Sequence, residues 1–165
     1  MESFDLIDMN DNVIGSTNKE TAHATKQIHR VSAVYVFNSK GELYIQIHKN
    51  SGGRYDHSVG GHVRKDEDYE TAAAREASEE LGIKQPLTYL TTFYSNEGSY
   101  RHMFGLFECI ARPDWQFVPN DEVEEIIPMK LAVIEKMMKD SPEKFTSGFI
   151  NSMKHYRKIK YLSLL

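Results

Sequence analysis

Three glutamates near the end of one helical stretch constrain this chain more than any other feature. The stretch runs from Gly61 to Ile83 and contains Arg75-Glu76-Ala77-Ser78-Glu79-Glu80. On a helix, Glu76, Glu79 and Glu80 stand at i, i+3 and i+4, which places their carboxylates on one face. Like charges at that spacing cost roughly 0.2–0.5 kcal/mol per pair. They also occupy the last turns, where the helix dipole is already negative. A sequence shaped by folding alone would carry Lys or Arg there, so the violated rule marks a functional site. A hard divalent cation prefers oxygen ligands and would remove the repulsion.

The surrounding residues show how such a helix docks. Asp68 is its expected N-cap and Tyr69 its first residue. Ala73, Ala74, Ala77 and Leu81 form an apolar stripe, mostly small, that lets the helix lie close to a sheet. At 100° per residue the glutamates point roughly 130° away from that stripe. Gly82 follows as the C′ cap and Pro86 prevents resumption. Gly60-Gly61 marks a close backbone approach or a positive φ.

The rest of the chain reads as alternating strands and helices. Phe4 to Met9 and Val13 to Gly15 form an N-terminal hairpin turned at Asn10-Asp11-Asn12. A short helix, Lys19 to Ala24, is capped by Thr17 or Asn18. Arg30 to Phe37 and Glu42 to His48 form a second hairpin around Asn38-Ser39-Lys40-Gly41, and Lys49 to Tyr55 is a polar loop. Leu87 to Tyr94 and Arg101 to Ala111 are two further strands, joined by the loop 95–99. The segment Pro113 to Asn120 is irregular, and Asp121 to Glu125 reads as an acidic loop. Met129 to Lys139 is amphipathic, with Leu131, Ile134, Met137 and Met138 inward. A last helix spans about Thr146 to Lys158, with Phe149, Ile150, Met153 and Tyr156 on its apolar face.

Length, at 165 residues, allows one domain with a real core, and no linker or repeat divides it. The net charge of −4 gives no reason to expect a nucleic-acid or membrane partner. The single cysteine, Cys109, excludes an internal disulfide and lies in an apolar run, as a buried small hydrophobe does. The start has neither a basic nor an apolar region of the secretory kind, and no apolar run approaches the ~20 residues that span a bilayer. The cytoplasm is the simplest compartment.

The pattern Gly61, Glu67, Arg75-Glu76, Glu79-Glu80 and Gly82, at these spacings, resembles the Nudix box, the loop–helix–loop signature of hydrolases acting on a nucleoside diphosphate linked to another group. Ala77 is the soft position, where the pattern prefers a bulkier aliphatic. The resemblance implies an α/β fold, the Nudix α/β/α sandwich with a mixed sheet, here with an N-terminal β-hairpin and C-terminal helices. It implies one domain over 1–165, with the core fold at about 28–140 and a C-terminal helix at 141–165. It implies a hydrolase of acid anhydrides that takes a small-molecule diphosphate and uses Mg²⁺, with Mn²⁺ as the alternative. Nudix proteins are often dimers, so a homodimer is one expected form beside a monomer.

The same resemblance assigns roles. Glu76 and Glu80 are the main metal ligands, and Glu79 is a ligand or a base. The Gly61 carbonyl is a further ligand. Arg75 orients the carboxylates by charge-assisted hydrogen bonds. Glu67 is either the partner of Arg75 or a weaker ligand. Many Nudix hydrolases place an extra glutamate on a later loop, which makes Glu122 or Glu125 the general base; a solvated acidic turn is the alternative. Arg54, Tyr55, Tyr94 and Arg101 are candidates to bind the attached group.

His29-Arg30, the run Val34 to Gly41 and Ser58-Val59-Gly60-Gly61-His62 resemble one Nudix branch more closely, the one that contains the isopentenyl-diphosphate isomerases. His29 and His62 match metal-binding positions of those isomerases, with His23 a third candidate. The isomerases need a cysteine just before the Gly-His pair, where this chain has Gly60. They also use a glutamate on a later strand, where Tyr100 to Met103 offers none. Hydrolysis is therefore expected over isomerisation, and a non-catalytic ligand-binding module is the remaining alternative.

Overall fold

In a computed structural model the described residues are 2–48, 51–96 and 100–163, with the backbone alone for His48. Lys49, Asn50 and three residues of the expected loop at 95–99, Glu97 to Ser99, lie outside the described residues. The elements run β1 (Ser3–Ile7), β2 (Val13–Asn18), α1 (Lys19–Ala24), β3 (His29–Phe37), β4 (Leu43–His48), β5 (Tyr55–Asp56) and β6 (Val59–His62). They continue with α2 (Tyr69–Leu81), β7 (Thr88–Ser95), β8 (His102–Ile110), β9 (Val123–Met129), α3 (Leu131–Asp140) and α4 (Ser147–Leu162). A 3-10 turn, Pro142–Lys144, joins the last two helices.

Strand β3 is the centre of a mixed sheet. It pairs in parallel with β8 along its whole length, His29 opposite His102 and Phe37 opposite Ile110. It pairs antiparallel with β6 from Val31 opposite His62 to Val34 opposite Val59. It also meets β1 at Leu6–His29 and β4 at Phe37–Leu43. Both faces of β3 are covered, which explains its nearly unbroken apolar run. Val31, Ala33, Tyr35 and Phe37 pack with Ile134 of α3 and with Phe149, Met153 and Tyr156 of α4. Val34 and Val36 pack on the other side with Ala73, Ala77 and Leu81 of α2. The period of two sorts one strand between two helical layers, and the expected α/β/α sandwich is what forms.

Two stretches read as loops are strands. Tyr55–Asp56 forms β5 by pairing with Gln46 and Ile47. The acidic segment enters β9, where Glu125 pairs with Ile47 and Pro128 with Tyr44. Among the described residues β9 has a ladder partner in β4 alone, so Pro128 costs no hydrogen bond on the free side. The pairing partner made these strands; the local composition had argued against them.

Candidate active site

Helix α2 begins as its sequence requires: the Asp68 side chain accepts from Thr71 N. It ends on Gly82 at φ 65°, the left-handed conformation that glycine adopts without strain. The Gly82 N–H donates to Ser78 O, and the Ile83 N–H to Ala77 O at 3.0 Å. Two side chains from the irregular segment complete the cap. Trp115 Nε1 donates to Leu81 O at 2.9 Å, and Asn120 Nδ2 donates to Glu80 O at 2.7 Å. These donors satisfy carbonyls at the negative end of the helix, and nothing in the local sequence of 113–120 announces it.

The three glutamates do not share one environment. Glu76 and Glu80 are buried, with Ala72, Ala73, Ala77 and Leu81. Glu79 is exposed, and so is Ala74, which had been assigned to the apolar stripe. Residues 76 and 80 are offset by about 40° around the helix, whereas 79 and 80 differ by about 100°. A surface that covers the first two therefore leaves the third outside. Glu76 and Glu80 turn toward the sheet beside the small residues, not to the opposite face.

Glu122, just before β9, completes the inner set. One carboxylate oxygen each from Glu76, Glu80 and Glu122 lie within 4.8 Å of one another. Gln46 Nε2 and the Gly60 N–H both donate to Glu80 Oε2, at 3.1 and 3.3 Å. Burial pushes the Glu80 carboxyl up to about 8, helped by Glu76. Burial also raises Glu76, against the opposing pull of Arg75. The Oε1 of Gln46 is buried with no partner among the described residues. Three acidic oxygens and an unpaired amide oxygen fit a hard divalent cation.

Arg75 clamps the outer side. Its Nε and Nη2 reach the two oxygens of Glu67, both at 3.0 Å. Nη1 donates to Glu76 at 2.6 Å and to Glu79 at 3.3 Å, and Nη2 also donates to His62 O at 3.1 Å. These contacts raise the guanidinium further above its ordinary value, Glu67 contributing most. Burial works against ionising Glu67, but the Arg75 bonds and the Arg64 N–H hold its carboxyl below the ordinary value. Of the two roles open to Glu67, the geometry brings it to the partner role. Glu79 likewise lies on the clamp, outside the inner cluster.

Gly61 lies on the Glu76 carboxyl. A Cβ built on Gly61 would stand 2.1 Å from Glu76 Cδ and 2.1 Å from Oε1. Of the two reasons for a glycine here, close approach is the one that operates; its φ is not positive.

The other candidates are dispersed. Glu125 is in the β9 ladder opposite Ile47. Arg54 is exposed and donates to Ser51 O within its own loop. Tyr55 packs its ring on Phe145, centroids 5.3 Å apart. Tyr94 is opposite Met103 on β7, and Arg101 is exposed ahead of β8. The structure places the first pair beside β4 and the second on the β7–β8 hairpin.

A second cluster joins His23, His29, His62 and His102, with one ring nitrogen of each within 4.8 Å of the others. His102 was not singled out by the sequence. Its place follows from the β3–β8 register, which sets it directly opposite His29. Burial holds all four rings below their ordinary value, His62 at about 2 and His102 at about 3.

A family model, the NUDIX domain, matches residues 27–149. The chain belongs to the Nudix family. Nudix hydrolases cleave pyrophosphate bonds. Among relatives of this Nudix protein is isopentenyl-diphosphate Delta-isomerase 2 of Photorhabdus laumondii, 31% identical over 157 residues, 87% of this chain and 86% of that one. Prenyl-diphosphate phosphatase of Methanosarcina mazei is 35% identical over 107 residues, 59% of this chain and 61% of that one. The solved structure of DR0079 from Deinococcus radiodurans superposes with a TM-score of 0.71 at 26% identity, covering 85% of this Nudix chain and 90% of that one. No described helix of the Nudix protein is long and apolar enough to cross a membrane.

Proposed function

We propose that this Nudix protein is a Mg²⁺-dependent hydrolase that opens the pyrophosphate linkage of a nucleoside diphosphate joined to another group. The observation that carries the reading is the inner cluster of Glu76, Glu80 and Glu122 beside the Arg75 clamp. A Mg²⁺ ion bound there would supply charge neutralisation for the diphosphate oxygens and lower the pKa of a bound water. Glu76 and Glu80 would hold the cation from one helix, with the Glu122 carboxylate beside them just before β9. Arg75 fixes Glu76 in its rotamer and carries Glu67 and Glu79 as counter-charges. Glu122 is the exposed member of the set, and so the one free to accept the proton of the attacking water. Arg54 and Tyr55 at β5, and Tyr94 and Arg101 on the β7–β8 hairpin, serve substrate selection as two separate pairs.

The named relatives favour a second reading of the substrate, an isoprenoid diphosphate. Isomerisation itself is disfavoured. Gly60 stands where the resemblance calls for cysteine, and its N–H is engaged by Glu80. His102, the described residue at the start of β8, offers no carboxylate.

The test is a phosphate-release screen with Mg²⁺ over nucleotide sugars, ADP-ribose, dinucleotides, dNTPs and isoprenoid diphosphates, with Glu80→Gln as control. Turnover of one class, lost in Glu80→Gln and on chelation, is the expected result. Tight binding of one ligand without turnover of any would overturn the hydrolase in favour of a binding module.

A further inference from the structure

The segment between β8 and β9 does more than cap the end of α2. Asn120 uses both ends of one carboxamide. Its Nδ2 donates to Glu80 O at 2.7 Å. Its Oδ1 accepts from the Glu122 N–H at 3.0 Å and from the Val123 N–H at 2.9 Å. Its own N–H donates to Val123 O at 3.1 Å. An amide oxygen has two lone pairs, and here the two backbone N–H groups take both. A turn before a strand needs only the Oδ1 half of this arrangement. The Nδ2 half adds the helix that carries Glu76 and Glu80.

The sheet by itself holds Glu122 loosely. Ladder pairing of β9 with β4 ends at Val123 opposite His48, so Glu122 lies one residue beyond it. The register also shifts between Ile47 and His48, just where the ladder reaches Val123. An irregularity of that kind re-aims the side chains beside it. Glu122 is exposed, yet its carboxylate meets those of Glu76 and Glu80. Those two come from a different element, so the meeting requires a tie between the end of α2 and the start of β9. Asn120 is that tie. Trp115 offers the comparison: it comes from the same segment and donates to Leu81 O, which caps the helix alone.

We propose that Asn120 is a positioning residue, which ties the Glu122 backbone to the Glu80 carbonyl and so keeps the Glu122 carboxylate in the inner cluster. It acts through Glu122 and contributes no ligand of its own. This rests on the reading of Glu76, Glu80 and Glu122 as the cation site, and it does not depend on which diphosphate is cleaved.

The test titrates the full chain with Mg²⁺ by calorimetry, which needs no substrate. Asn120→Ala should lower Mg²⁺ affinity roughly 10- to 100-fold, the cost of an outer contact. Asn120→Ser keeps a short acceptor for the local turn but has no arm for Glu80 O, and should lose as much. Asn120 is exposed, so both variants are expected to fold, which circular dichroism checks. In a Glu122→Gln background, Asn120→Ala should cost no more than about 2-fold further, within the error of additivity. Trp115→Phe removes the other cap donor and should leave Mg²⁺ affinity within about 2-fold. Hydrogen exchange at the Glu122 and Val123 N–H groups should quicken in Asn120→Ala.

If the unaltered chain binds no Mg²⁺, or Glu80→Gln binds it equally, the cation reading fails and the tie falls with it. If the unaltered chain binds Mg²⁺ and both Asn120 variants match it, the tie alone is overturned. It is likewise overturned if the Asn120→Ala and Glu122→Gln losses add in full, or if Trp115→Phe costs as much as Asn120→Ala.

Discussion

Gly61 and Glu76 occupy one space: the carboxyl of Glu76 sits where a side chain on Gly61 would begin, 2.1 Å from the site of its Cβ. Backbone on one side and Arg75 on the other confine that carboxylate. Gly61→Ala is therefore expected to expel Glu76 from the inner cluster and lower kcat by about 100-fold or more, since a small misplacement at a reacting centre costs that much. The fold should survive, because the clash is with a side chain. Wild-type Mg²⁺ affinity and rate in this variant would refute the role of the contact.

Arg75 makes its contacts through the planar fork of the guanidinium, two of them to Glu67. Lysine cannot reproduce that geometry. Arg75→Lys should lower activity by roughly 10- to 100-fold, as loss of an orienting outer contact does, with little change in KM. Full activity in the lysine variant would show that charge alone suffices.

Glu80 links metal binding to pH. Its carboxyl is raised from 4.5 to about 8, so between those values the folded, metal-free chain keeps a proton that the unfolded chain has released. The stability this group contributes is full below about pH 4.5 and is lost as pH rises through about 8. Mg²⁺ must displace the same proton, so its affinity should climb over that interval with release of a proton on binding. Calorimetry in two buffers of different ionisation enthalpy reads this directly. An affinity flat between about pH 6 and about pH 8 would contradict it.

Glu122 and Glu125 are separated by structure although they are neighbours in sequence. Glu122→Gln should cost about 100-fold or more in kcat, in the range of a lost general base. Glu125→Gln, in the β9 ladder, should stay within about 2-fold, as surface substitutions do. The reverse order in steady-state kinetics would reassign the base.

Ser152 is fully buried and shared by two side chains, Tyr35 Oη at 2.6 Å and His57 Nε2 at 2.7 Å. With Asp56 on His57 Nδ1 at 2.7 Å the row mimics a nucleophilic triad, but a serine at 0% exposure meets no substrate. It ties α4 to β3. Ser152→Ala should destabilise by about 1–3 kcal/mol by leaving buried polar groups unpaired, read by denaturant unfolding, with kcat unchanged.

Local rules made much of this legible. Asp68 and Gly82 frame α2 in the sequence as they do in space, because capping depends on residues within one turn. The β character of β3 and the apolar face of α4 were readable for the same reason. The strand nature of Val123–Met129 was not, since its partner β4 is about 80 residues earlier and pairing overrides a poor local propensity.

The sequence by itself determined the box, its helix and the identity of the acidic residues, all of which are set by spacing along one element. Tertiary structure decided which carboxylates converge. It buried Glu76 and Glu80, left Glu79 on the clamp, and brought in Glu122 from β9 and Gln46 from β4. It also set His102 beside His29 through a parallel register that joins strands far apart in the chain. The physical reason is common to both clusters: a helix fixes neighbours three and four residues apart, whereas groups from different elements meet only through the sheet between them.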